Sequence, residues 1–121
     1  TVKKIDSSGN EVWTFTGHTT RVFSVAIDSN DNVYSGGEYP DNEVRKIDPN
    51  GNEIWKFTGN TGAVYGITVD SDGNVYSASG DQTAKKIDSS GNEVWIFDSQ
   101  GNGNPNGHSA NVISVSVLLD Y

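Results

Sequence analysis

The chain has 121 residues, 33% of them hydrophobic and 10% aromatic, which suits a single compact unit or array with a modest core. Sixteen acidic against eight basic side chains give a formal charge of −8, which argues against sequence-independent binding to nucleic acid phosphates or anionic membranes as partners. The absence of cysteine excludes disulfides and thiolate metal sites, and no stretch approaches the roughly 18 consecutive apolar residues of a membrane helix.

In chain order, Thr1 stands where a Met would begin a nascent chain, and points to a processed product, a trimmed chain or a piece of something longer. Residues 2–15 then read as two short strands around Asp6-Ser7-Ser8-Gly9. Asp suits the first corner of that turn, and Gly suits the last, where a type I turn closing with a bulge needs φ > 0. Gly17-His18 follows, and precedes an alternating run with Val22, Ser24 and Ala26 on one face and Phe23, Val25 and Ile27 on the other. Alternation of this kind marks a strand, and nothing shows the i, i+3, i+4 spacing of an amphipathic helix. A second strand is expected at 32–35, after Asp28-Ser29-Asn30-Asp31. That turn puts Asp where Gly is preferred and should be the most strained.

The hairpin then returns. Lys46-Ile47-Asp48-Pro49-Asn50-Gly51-Asn52-Glu53-Ile54-Trp55 repeats the segment from Lys4 to Trp13, and the segment from Lys86 to Trp95 repeats it again. The three tryptophans are 42 and 40 residues apart, within the roughly 40–45 residues of a four-stranded propeller blade. An all-β propeller sector of about three blades is therefore expected. Residues 1–17 supply the outer strands of a shared blade, 18–58 and 59–98 are two complete blades, 98–107 is an inserted loop, and 107–121 brings the inner strand of the shared blade.

The chain resembles the β-propeller superfamily, with blades like those of WD-repeat proteins. The residues that carry the likeness are Gly17-His18 and Gly107-His108 before first strands, Ser35 and Ser77 on second strands, and Asp41 and Asp81 in the turns that follow. The resemblance implies that His18, Ser35 and Asp41, with Ser77, Asp81 and His108, form structural hydrogen-bond networks within their blades. The middle repeat has Gly59-Asn60 in place of Gly-His, and Ile5, Ile47 and Ile87 stand where the third strand usually ends in Trp, so the network should be partial. Residues 64–77 are equally similar to NHL repeats, and the Gly-Asn-Glu-Val-Trp run is similar to propellers of the pyrroloquinoline-quinone type.

Laid out this way the chain carries eleven strands where three blades need twelve, because 118–121 does not continue as the second strand that should follow 111–118. One blade is split between the two ends of the chain. Propellers have about 4–8 blades around the axis, so an open arc would leave apolar faces and strand edges uncovered. The expected partner is a second copy, each chain's last strand completing its neighbour's first blade. A homodimer with six blades is the leading arrangement, and a homotrimer with nine the next.

Specific chemistry is sparse. Asp70, Asp72 and Asn74 resemble half of a calcium loop, but the distal bidentate Glu is missing and turn formation is the favoured reading. His18 and His108 are the two histidines, too few for a histidine metal cluster. There is no cysteine nucleophile, no G-x-S-x-G turn and no P-loop, so neither an enzyme nor a cofactor is expected. Glu11, Glu53 and Glu93 should face solvent opposite the basic pairs Lys3-Lys4, Arg45-Lys46 and Lys85-Lys86. At least one long stem of each pair should cover apolar surface with its head in water.

Trp13 with Phe15, Trp55 with Phe57 and Trp95 with Phe97 lie at i and i+2 and share a strand face, as a repeated inter-blade core would need. The loop with Asn102, Asn104 and Asn106 adds eight residues relative to the other repeats, since Phe97 to Val112 spans 15 positions and Phe15 to Val22 spans 7. It is a candidate recognition loop, although a flexible tip is favoured. The function expected is a non-catalytic scaffold for a protein or glycan, assembling head to tail into a closed ring. The alternatives are a purely structural self-assembly element, a fragment of a longer propeller and, last, a quinone- or metal-dependent oxidoreductase domain.

Overall fold

A computed structural model describes residues 1–98. The expected strand at 111–118, the inserted loop with Asn102, Asn104 and Asn106, and His108 lie outside the described residues. The described part is all β, with ten strands in three antiparallel sheets. Strands β1 (Val2–Ile5) and β2 (Glu11–Phe15) form a two-stranded sheet. The second sheet is the meander β3 (Val22–Ile27), β4 (Val33–Gly37), β5 (Val44–Ile47) and β6 (Glu53–Phe57). The third repeats it with β7 (Val64–Val69), β8 (Val75–Ser79), β9 (Thr83–Ile87) and β10 (Glu93–Asp98). This is a propeller sector with two full blades and the outer half of another.

The hairpins follow from one device used five times. In each, an Asp carboxylate accepts backbone N–H groups two and four residues on, as Asp48 Oδ1 does from Asn50 at 2.8 Å and from Asn52 at 2.9 Å. The carboxylate satisfies donors that the tight turn would otherwise orphan. Gly9, Gly51, Gly73 and Gly91 close four of these turns at φ between 81° and 91°, and Asp31 closes the fifth at φ 64°, the left-handed region that costs a residue with a Cβ. Each third-to-fourth strand pairing carries a register shift next to the turn, as between Lys46 and Ile47, which is the bulge such a turn produces.

The core lies between sheets. One cluster joins Tyr34, Val44 and Phe57 of the second sheet to Val64, Ile67, Val75 and Ile87 of the third. A smaller one joins Val2 and Phe15 of the first sheet to Ile47 of the second. Blades are therefore held mainly by their neighbours, each buried aliphatic or aromatic side chain contributing about 1.5–3 kcal/mol.

Candidate functional site

At one end of the second sheet the link before β3, the strand β4 and the loop after it bring His18, Ser35 and Asp41 together. His18 Nδ1 lies 3.1 Å from Asp41 Oδ2, and Nε2 lies 2.7 Å from Ser35 Oγ. A carboxylate only accepts, so Nδ1 carries the proton and the Ser35 hydroxyl donates to Nε2. Burial pushes the imidazole below its ordinary pKa against the opposing pull of Asp41, which keeps this neutral tautomer in place. Burial alone would raise Asp41, yet the Thr19 N–H at 2.9 Å and His18 outweigh it and hold the carboxyl low. Gly37 is required by close approach, because a Cβ there would stand 2.8 Å from His18 Nδ1.

The third sheet fills the same slot differently. Asn60 takes the place of His18, and the buried Lys85 ammonium donates to Asn60 Oδ1 at 3.0 Å, Thr83 Oγ1 at 2.8 Å and Asp81 Oδ2 at 3.3 Å. Ser77 is brought to the equivalent position on β8, but its buried hydroxyl has no hydrogen-bond partner among the described residues. The expectation that Ser77 joins a network is corrected, because Asn60 is too short to reach it as an imidazole would.

The basic pairs also need refinement. Lys46 and Lys86 lie over the Tyr34 and Tyr76 rings at 5.6 and 5.8 Å. Arg45 and Lys85, their partners in the pairs, are buried, with Arg45 Nη1 held 2.5 Å from Glu53 and Nη2 against Glu43. Sequence reasoning did not anticipate buried charged heads. The signal was the strand parity, since Arg45 and Lys85 share a face with the fully buried Ile47 and Ile87 two positions on.

Asp70, the first of the three suspected calcium-loop residues, has both oxygens engaged by its own hairpin. It accepts from the Asp72 and Asn74 N–H groups, from Asn74 Nδ2 at 3.1 Å and from the Tyr76 hydroxyl at 3.0 Å. Among the described residues no group of three or more His, Cys, Asp or Glu side chains is arranged to hold a metal ion.

Two of the three tryptophans, Trp13 and Trp55, lie between blades. Trp13 of β2 donates from Nε1 to the Pro49 carbonyl at 3.0 Å, and Trp55 of β6 donates to the Ser89 carbonyl at 3.0 Å. Each ring therefore caps the outer turn of the following blade. A Cβ on Gly51 would come 2.8 Å from the Trp13 ring, and one on Gly91 2.9 Å from Trp55. Phe15 and Phe57 are buried beneath, whereas Trp95 and Phe97 of β10 are exposed. At the opposite edge of the sector, a groove of about 590 Å³ opens between β1 and β3, lined by Val2, Ile5, Trp13, Val22, Val25 and Ile27 among others.

The sequence of residues 1–115 matches the family described as outer membrane protein assembly factor BamB. The chain belongs to this family. Like the BamB family member it is, it has a propeller fold, and among solved structures it is similar to the RRP9 WD40 repeats, with 21% identity and a TM-score of 0.68. It is also similar to a chain of the mitotic checkpoint complex, with 21% identity and a TM-score of 0.69. Both alignments cover 78% of this chain, which spans less than a third of either structure, 31% and 30%. No curated protein matches it.

Proposed function

We propose that this BamB-family chain is a non-catalytic propeller scaffold that assembles head to tail with copies of itself into a closed ring and presents its loop end to a protein or glycan. The observation that carries the reading is the groove between β1 and β3, largely apolar with Lys3, Lys4 and Asp31 also in its lining. Between the two full blades the corresponding space is filled: β7 packs on β3, with the Tyr65 and Phe23 rings stacked at 5.5 Å and the Ile67 N–H donating to Ser24 Oγ at 3.1 Å. The first sheet has only outer strands, so the groove awaits inner ones. Residues 112–117, Val-Ile-Ser-Val-Ser-Val, repeat the pattern of β3 and β7, and we assign the groove to that segment of a neighbouring copy. A homodimer gives six blades and is preferred over a nine-bladed trimer, because it lies within the usual range of about 4–8.

A structural role for the Ser35–His18–Asp41 set is supported by its enclosure, since the Ser35 residue and the His18 and Asp41 side chains have almost no surface that a substrate could reach. At the same end, Arg21 lies over the Phe23 ring at 5.8 Å and Tyr39 is exposed on the loop after β4. Aromatic faces beside a guanidinium suit a sugar or an apolar peptide segment. Removing residues 111–121 should turn the oligomer into a monomer, measured by light scattering, and an unchanged mass contradicts the assembly. Ligands found on protein and glycan arrays should be lost on Phe23→Ala, and retention by that variant contradicts the binding face.

A further inference from the structure

The two internal blade junctions show what the outer edges of the sector lack. At each junction three features meet: a tryptophan capping the next blade's outer turn, a phenylalanine beneath it, and an isoleucine at the end of the next blade's third strand. Phe15 and Phe57 are each 8% exposed, and Ile47 and Ile87 are 0% exposed. At the edges the same residue types are uncovered. Phe97 is 64% exposed and Trp95 42%, while Ile5 at the far edge is 60% exposed. The turn that follows Ile5 has the same backbone as its counterparts, Gly9 with φ 85° against 91° at Gly51 and Gly91. Yet a Cβ on Gly9 would meet nothing within 4 Å, where Gly51 and Gly91 each lie under an indole. Among the described residues, one edge presents an unused plug, and the other an unused socket of matching form.

We infer that Trp95 docks on the Asp6–Gly9 turn of a second copy, its indole N–H donating to the Ser7 carbonyl as Trp13 donates to Pro49 and Trp55 to Ser89, with Phe97 closing over Ile5. The inference rests on the ring reading above and names the residues that fasten one copy to the next. A second copy is the occupant because the partner surface is already specified inside the chain, and the new contact continues an interface that the chain makes twice within itself. It is head to tail, so each copy uses Trp95 once and the turn once, whatever the number of copies in the ring.

The test compares the native chain with Trp95→Ala and Gly9→Asn by sedimentation at several concentrations. Asn tolerates the left-handed backbone at position 9 while adding a side chain to the socket, and circular dichroism checks that each variant remains folded. Each variant is expected to weaken self-association about thirtyfold or more, the effect of losing a buried tryptophan anchor. Mixing the two variants should restore part of the association, because the intact Trp95 of one meets the intact turn of the other. If the native chain associates and both variants associate equally well, the Trp95 docking is wrong while the ring stands. If the native chain remains a monomer at every concentration, the ring reading itself falls.

Discussion

The two full blades solve the same packing problem with opposite electrostatics. Where the second and third strands meet the incoming link, the β3–β6 blade buries a neutral imidazole between a hydroxyl and a carboxylate, and its cation, Arg45, is directed to Glu43 and Glu53. The β7–β10 blade has no imidazole there, and the ammonium of Lys85 reaches into the slot to join Asp81, Thr83 and Asn60. Asp41 and Asp81 hold corresponding turns through the same backbone donors, from Thr19 and Thr61 at 2.9 Å. The acid is the fixed element, and its partner is exchangeable provided that a donor reaches it.

The largest expected effect follows from the buried ion pair. Lys85→Met should destabilise the chain by roughly 3–5 kcal/mol, because it leaves the Asp81 carboxylate without its buried cation, and urea unfolding measures it. Adding Asp81→Asn should recover part of the loss, whereas simple additivity of the two changes contradicts a direct pairing. His18→Ala should cost less, about 2 kcal/mol, since it orphans one hydroxyl and one bond of a carboxylate that keeps its backbone donors. A cost equal to that of Lys85→Met would erase the distinction between the blades.

Acid should separate the blades without mutation. His18 is held below its ordinary value of 6.5 by burial, so above that pH its contribution is complete, and as pH falls below it the unfolded chain takes up a proton that the folded blade resists. Asp41 and Asp81 are both lowered from 3.8, and their stabilisation is lost only under more acidic conditions. Between about pH 4 and 6.5, hydrogen exchange should therefore show the β3–β6 amides losing protection before those of β7–β10, and the reverse order contradicts the assignment. The smallest effect concerns the inner turns, where Asp31 has φ 64° and its counterpart Gly73 has φ 81°. Asp31→Gly should raise stability by about 0.5 kcal/mol, and Gly73→Ala should lower it by about 1 kcal/mol, both seen as shifts in Tm.

Much of this was legible in the sequence because the repeat is local. Strand order, hairpin positions and the strained turn at Asp31 follow from alternation and from Asp and Gly at turn corners, which act within a few residues. The partners of Lys85 were not legible. They depend on how Asn60, 25 positions earlier, shortens the reach at one slot, and on a cation turned inward among core side chains. The depth of Arg45 was hidden for a similar reason, since its burial depends on the Phe15 ring of the preceding blade 6.0 Å away. The tryptophans carried a clear periodic signal, but the turn that each one caps lies 34 or 36 residues ahead and emerges only when blades are set side by side.

The central claim is that this chain is a sector which a second copy completes. The native mass of the intact chain in solution tests it most directly. The account predicts twice the 13.0 kDa mass of one chain, and a particle of 13.0 kDa that persists as concentration rises contradicts it.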